Sequence, residues 1–417
     1  MVVLDLFSGA GGLSEGFWRN GANFVGHIEA DNNACNTLKT RTAYWNLKKD
    51  NKLDIYNKYL LKEISSEELW KVGNVSNSNE IINKPIADDT FDEMVNIVHQ
   101  NMNDKNISTV DVIIGGPPCQ AYSVIGRARM KEKVKDDPRN YLYTYYVKFL
   151  EEFRPKLFVF ENVPGLINAG GGEYFRKLQK AIENANYHME LKELVASDFG
   201  VLQNRKRIII IGWNKDVYAD YKYPDFLADK LHGTQVSELL VDLPKTIPGN
   251  KIEGKNKYIE NANKYLVWSK IRAQNFDILT QHETRPHNER DKEIYRIAVD
   301  KWFDGKERLK YNELAKERPD LITHKNTKSF TNRFNVVKPD EESCHTVLAH
   351  IAMDGHYYIH PDNTQNRSIS VREAARLQSF PDDYYFEGAR TSIFKQIGNA
   401  VPPLMAEKIC VEIKKIL

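Results

Sequence analysis

VVLDLFSGAGG, residues 2–12, reads as a short apolar strand interrupted by Asp5, a turn carrying Gly9, Gly11 and Gly12, and then a helix over residues 13–19. A second apolar run, residues 24–29, ends on Glu29 and leads into a helix over residues 33–41. Strand, glycine turn, helix, strand, helix is how a doubly wound α/β sheet begins. Glycines at the carboxyl end of the first strand permit positive φ and close backbone approach, and an acid closing the second strand can take both hydroxyls of a ribose. The spacing is not GxGxxG. A dinucleotide oxidoreductase and a purely structural turn are both open readings of this segment alone. Asp5 at the strand end is expected to place a negative charge near a cofactor, which disfavours a pyrophosphate and suits a cationic sulfonium.

Working outward, residues 110–115 (VDVIIG), 156–161 (KLFVFE) and 207–213 (RIIIIGW) have the β-branched, apolar character of buried parallel strands. Helices over residues 142–153 and 174–185 supply the crossovers. Residues 46–108 are rich in Asn, Lys, Glu and Asp, and their weak periodicity predicts an insertion with one or two surface helices, for instance over residues 89–101. From about residue 215 to 365 no βαβ rhythm can be followed, so a second domain is expected there. Residues 366–417 tighten again, with helices over 371–378 and 404–416 returning to the first domain. The expected architecture is a catalytic domain of residues 1–214 and 366–417 with a smaller, irregular domain of residues 215–365.

The 417 residues are 41% hydrophobic and 28% charged, the profile of a folded protein. The longest purely apolar runs are far shorter than a membrane span, and the N-terminus lacks a basic n-region and cleavage site, so a cytoplasmic protein is expected. Cys35, Cys119, Cys344 and Cys410 form no CxxC pair, which argues against a disulfide framework or a metal cluster. A net charge of +2 gives no overall pull toward nucleic acid.

Three strand-end segments carry chemistry. Gly115-Gly116-Pro117-Pro118-Cys119-Gln120 follows a buried strand, and its prolines stiffen the approach to the Cys119 thiol. Glu161-Asn162-Val163-Pro164-Gly165 ends the next strand, so the Glu161 carboxylate belongs at the same rim. In Gln203-Asn204-Arg205-Lys206-Arg207, alternation puts Gln203, Arg205 and Arg207 on one face. Taken singly, Cys119 reads as a small buried hydrophobe, Glu161 as a helix cap or an arginine's partner, and the basic run as a solvated strand end. Together, a thiol, a carboxyl group and an arginine suit methylation of cytosine. C5 is a poor nucleophile until a thiolate adds to C6, and addition is eased by a carboxyl group at N3 and a guanidinium at O2.

The chain resembles the cytosine-C5 DNA methyltransferases of bacterial restriction-modification systems. The resemblance rests on residues 5–12, Glu29, Pro117 to Gln120, Glu161 to Val163, residues 203–207, residues 367–384 (RSISVREAARLQSFPDDY) and residues 396–403 (QIGNAVPP), in the family's order from one terminus to the other. It implies a Rossmann-like methyltransferase domain, a target-recognition domain and S-adenosyl-L-methionine as methyl donor. It implies that Phe7 stacks on the adenine and Glu29 holds the ribose. Ser8, Gly9, Gly11, Gly12, Pro117, Leu142 and Asn399 would complete the pocket. Cys119 is the implied nucleophile, Glu161 the partner of N3, Arg207 the group at O2, and Arg205 a support for the thiol loop. The family often carries Gly-Asp-Ile after the second helix. No such tripeptide occurs between Asn46 and Ser108, which leaves the adenine-amine contact unassigned and Asp88 a weak candidate.

C6 of a stacked cytosine is inaccessible, so this chemistry requires the nucleotide to be flipped out of duplex DNA. Residues 126–139, directly after Cys119, carry six basic residues against three acids, with Arg127 and Arg129 as candidate DNA contacts. Residues 215–365 contain equal numbers of basic and acidic residues, but residues 323–338 have no acid and offer Lys325, Lys328 and Arg333. Thr346-Val347 lies where similar proteins place a Thr-Leu pair, making Thr346 a further DNA candidate. The expected partner is duplex DNA, with a cognate restriction endonuclease acting separately and the chain itself a monomer. The alternatives are the same chemistry on tRNA and a catalytically silent DNA-binding regulator. A nicotinamide-dependent oxidoreductase leaves the Pro-Pro-Cys-Gln loop without a role.

Overall fold

β1 (Val2–Leu6) runs into a turn and α1 (Gly12–Trp18), and β2 (Asn23–Glu29) into α2 (Asn32–Lys49), as the opening segment predicts. The structure is a computed structural model, and it describes residues 1–118, 141–226, 228–323 and 331–417. Next come α3 (Leu53–Leu60), α4 (Ser66–Val72), β3 (Ile81–Asn83), α5 (Asp88–Asp104), β4 (Val112–Gly115), α6 (Leu142–Phe153), β5 (Leu157–Asn162), α7 (Glu173–Asn184) and β6 (Tyr187–Val195). β7 (Gln203–Asn204) and β8 (Lys206–Asn214) complete the first part.

Seven strands form one sheet in the order β3-β2-β1-β4-β5-β8-β6. β3, β2, β1, β4 and β5 pair in parallel, whereas β8 is antiparallel to both β5 and β6. The expectation of a parallel strand over residues 207–213 is therefore corrected. Apolar composition reports that a strand is buried, and β8 is buried between two neighbours whatever its direction. β6 escaped the sequence reading because YHMELKELV mixes charged with apolar residues and is only partly buried.

Strand side chains alternate between two cores. Leu4, Leu6, Ile113, Phe158, Phe160, Ile208 and Ile210 face α5, α6 and α7. Val3, Val112, Ile114, Val159, Ile209 and Ile211 face α1 and the last helix, α13 (Pro403–Ile416). A Cβ built on Gly16 of α1 would lie 2.3 Å from the backbone of Ala406 and Glu407, so the two helices touch at bare backbone. Backbone cannot swing aside, and Gly16→Ala is expected to cost about 1–3 kcal/mol through overpacking. Thermal denaturation measures this, and an unchanged melting temperature would contradict the α1–α13 contact.

Residues 46–108 are not a surface insertion. α2 continues to Lys49, β3 pairs with β2, and α5 buries Met94, Val95, Val98 and Met102 in the core beside β2. α3 and α4 bury Tyr56, Tyr59, Leu60 and Leu69 against Tyr44 and Leu47 of α2. Abundant polar residues mask these apolar faces, because a helix needs only one stripe for the core.

Beyond residue 214 lie β9 (Lys251–Lys255), α8 (Lys264–Trp268), β10 (Ile278–Glu283), α9 (Glu289–Gly305), α10 (Tyr311–Glu317) and β11 (Cys344–His345). α9 and α10 share a core with Phe334, Val336 and Ile359. α11 (Val371–Leu377) and α12 (Arg390–Asn399) precede α13. Arg376 of α11 is fully buried and bridges Asp242 and Asp382, tying the 215–365 region to the C-terminal segment. Among the described residues no helix is long and apolar enough to cross a membrane.

Candidate active site

Register assembles the site. Leu6 of β1 lies opposite Ile28 of β2 and Gly115 of β4, and Gly115 lies opposite Phe160 of β5. One residue further along each strand come Phe7, Glu29, Gly116 and Glu161, in a line across the carboxyl ends. Chain order reverses between β1 and β4, and the crevice outside that reversal is where open α/β sheets bind ligands.

On the β1–β2 side, the Glu29 carboxylate accepts Gly9 N–H at 2.8 Å on one oxygen and Ala30 and Asp31 N–H at 2.9 and 2.8 Å on the other. Burial pushes this carboxyl up, and the three N–H donors oppose that shift. Ser8 is buried; its N–H donates to Ile28 O and its hydroxyl to Asp5 O. Phe7 has φ of 56°, a left-handed conformation unusual for a bulky side chain, and its ring is half-buried at the rim. Gly9 also has positive φ, and a Cβ there would meet nothing within 4 Å, so the turn opens onto space. Gly11 and Gly12 are required by packing: a Cβ would lie 2.9 Å from Leu38 and Tyr384 at the first and 2.3 Å from Val401 O at the second. Asn399 is exposed at the end of α12, two residues before Val401. Asp5 does not reach the crevice. It is 1% exposed beneath α1, accepts a hydrogen bond from the Ser14 hydroxyl and lies 3.4 Å from His27 Nδ1. Strand alternation puts it on the α1 face with Val3, which removes the expectation of a negative charge near a cofactor.

On the β4–β5 side, Pro117 is buried and its carbonyl accepts a 3.2 Å hydrogen bond from Asn162 Nδ2. A Cβ on Gly116 would lie 2.6 Å from Glu161 Oε2, so only glycine lets that carboxylate lie there. Arg207 Nε is 2.5 Å from Glu161 Oε1, with the two side chains 9% and 13% exposed. Arg205 is wholly buried and donates to Val347 O at 2.8 Å and Gly398 O at 3.1 Å. Burial and the neighbouring Arg207 both disfavour its charge. Leu142 begins α6 and is half-buried, while Tyr146 of that helix lies 3.1 Å from Ile113 O and Val159 O, pinning α6 to β4 and β5. Cys119 itself lies outside the described residues, as do Arg127, Arg129, Lys325 and Lys328.

The family description "C-5 cytosine-specific DNA methylase" matches residues 1–67 and 77–415. The chain belongs to this family. It is 39% identical to the Type II methyltransferase M.Bpa9945I of Bacillus paralicheniformis, over 100% of this chain and 99% of that one. It is 30% identical to the Type II methyltransferase M.AgeI of Thalassovita gelatinovora, over 73% of this chain and 83% of that one. Its fold is similar to the crystal structure of a protein described as a prophage-encoded DNA modification methyltransferase (E. coli), with a TM-score of 0.64, 24% identity, and 100% and 99% of the two chains covered.

Within this C-5 cytosine methylase, the remaining sequence candidates fall in different settings. Arg333 is 11% exposed and ion-paired to Asp354 at 3.0 Å, so its charge is matched within the protein. The Thr346 hydroxyl donates to Asn204 O at 2.6 Å, which places Thr346 beside the Gln203 to Arg207 segment. Asp88 is highly exposed at the start of α5 and pairs with Lys148 at 3.0 Å. Three residues were missed. Asn83 ends β3 directly opposite Glu29, and its amide donates to Glu29 O and Ala30 O at 3.2 Å each. A three-residue strand leaves too little periodicity to read. Asn162 locks the approach to Cys119, a role that adjacency to Glu161 could have suggested. Gln203 is fully buried, donating to Leu377 O and accepting Val347 N–H; the alternation of residues 203–207 signalled its inward direction but not its partners.

Proposed function

We propose that this chain transfers a methyl group from S-adenosyl-L-methionine to C5 of a cytosine flipped out of duplex DNA, through a covalent adduct between the Cys119 sulfur and C6. The observation that carries this reading is the Glu161–Arg207 pair at 2.5 Å, on adjacent strands at the rim. N3 and O2 of cytosine are neighbouring positions on one edge of the ring. A carboxyl and a guanidinium side by side match that edge.

The Cys119 thiolate adds to C6, while the Glu161 carboxyl group shares a proton with N3 and Arg207 holds the developing charge at O2. Electron density then rests at C5. When bound, the sulfonium donor supplies an electrophilic methyl. Loss of the C5 proton to a base, return of the N3 proton to Glu161 and expulsion of the thiolate restore the aromatic ring and free Cys119. The rim fits the donor: Glu29 for the ribose, the Phe7 face for the adenine, and open space above Gly9 for the methionine portion. Asn83, beside Glu29, supplies an amide where the family's missing aspartate would read the adenine amine. Cys35, Cys344 and Cys410 are buried, and burial pushes each thiol up to about 12, far from thiolate at neutral pH. Cys119 is the cysteine left for nucleophilic work.

The Type II character of the relatives supports a role in a restriction-modification system, with a separate endonuclease cutting the unmethylated site. In this reading residues 1–214 and 366–417 catalyse, residues 215–365 recognise the target, and the protein acts as a cytoplasmic monomer. Tritiated S-adenosyl-L-methionine with duplex DNA, tRNA or no substrate tests the function. Label in DNA alone is expected, and label in tRNA alone would overturn the assignment.

A further inference from the structure

Met353 is the most exposed large apolar side chain among the described residues, at 68%, and Leu348 is exposed at 38%. They bracket a single 3-10 turn, Ala349–Ala352, whose Ile351 and Ala352 are buried in the core of α11 and α12. Isolated exposed apolar side chains are ordinary. Here, however, the backbone presenting them is held from several sides at once. Arg205 donates to Val347 O just before the turn, and Arg285 donates to Ile351 O and Ala352 O at 2.8 and 3.0 Å just before Met353. Tyr358 Oη accepts Leu348 N–H at 2.9 Å. A Cβ on Gly398 would lie 2.3 Å from Ala349 N, so α12 presses bare backbone against the turn. A buried arginine from the catalytic strand end is thus committed to positioning this loop, at a desolvation cost that no carboxylate among the described residues hydrogen-bonds away.

The loop adjoins the reaction rim on both sides. Thr346 is bonded to Asn204, in the segment that delivers Arg207, and Gly398 precedes Asn399 at the crevice. Apolar tips on a rigid support at that position suit the faces and methyl groups of bases better than phosphates. Side chains of this type, Met and Leu among them, enter base steps where proteins unstack DNA.

We infer that Met353, assisted by Leu348, packs against the base stack beside the target and lowers the cost of extruding the cytosine. This rests on the DNA reading above. Met353 is a positioning residue in this account and touches no reacting atom.

With the target site first mapped by bisulfite sequencing of DNA from cells expressing this protein, the test measures kcat/KM on two duplexes carrying it, one with the cytosine paired to guanine and one with it mispaired, where extrusion is already easier. Met353→Ala is expected to lose about tenfold on the paired duplex, about 1.4 kcal/mol, and far less on the mispaired one. Met353→Leu should restore the paired rate, and the salt dependence of binding should not change, because apolar contacts release no counterions. Leu348→Ala should show the same pattern more weakly. Equal losses on both duplexes, or none on either, would overturn the inference. Wild-type protein inactive on both duplexes would instead overturn the DNA reading on which it rests.

Discussion

Cys119→Ser is expected to abolish methyl transfer, by at least about 10³-fold, while the protein still folds and binds its methyl donor. A serine hydroxyl at neutral pH is neither ionised nor as nucleophilic as a thiolate, and about 4 kcal/mol of barrier follows from that deficit alone. No other cysteine can take over, because Cys35, Cys344 and Cys410 are buried and their thiols are shifted away from ionisation. The measurement pairs tritium transfer to DNA with equilibrium dialysis of the donor. Duplex carrying 5-fluorocytosine at the target should trap wild-type protein as a stable crosslink at position 119 and leave the serine variant free. Substantial residual methylation by the variant would show that the nucleophile lies elsewhere.

Glu161→Gln is expected to lower kcat by about 10²–10⁴-fold, the range for losing a positioned proton donor. The amide keeps the shape of the side chain and can still contact Arg207, but it cannot deliver a proton to N3. Two readouts separate this from a structural effect. Donor affinity should be unchanged, because Glu29 and not Glu161 faces that half of the crevice. The KM for DNA should change far less than kcat. Some loss of stability is also expected, because Arg207 is 9% exposed and would lose its counter-ion; circular dichroism and a melting curve show whether the fold persists. An unchanged kcat would remove Glu161 from the chemistry.

Much of the site was legible because its residues sit at strand ends, where short motifs are tied to local geometry. Gly9 to Gly12, Gly116-Pro117, Glu161-Asn162 and Gln203 to Arg207 each follow or precede an apolar run, so their common rim could be inferred before any coordinates, while Cys119 lies outside the described residues. What failed was reading that required partners. Asp5 looked like a rim charge from its place in the chain, but the pleat turns it under α1 onto Ser14 and His27. Residues 46–108 looked like an insertion because the three residues of β3 and the apolar stripes of its helices were diluted by Asn, Asp and Lys. Arg333 stands in an acid-free segment, and its partner Asp354, 21 residues further on, could not be read from that segment.

The α/β class, the strand-end motifs and the family are legible in the amino-acid sequence, since these depend on residue type and on spacing within a few turns of chain. The antiparallel direction of β8, the meeting of Glu161 and Arg207 at 2.5 Å and the clamp of Arg205 on the turn bearing Met353 emerge only once the chain is folded. Those outcomes follow from pairing register and from packing between segments far apart in the chain. No local pattern encodes which distant segment will supply the partner.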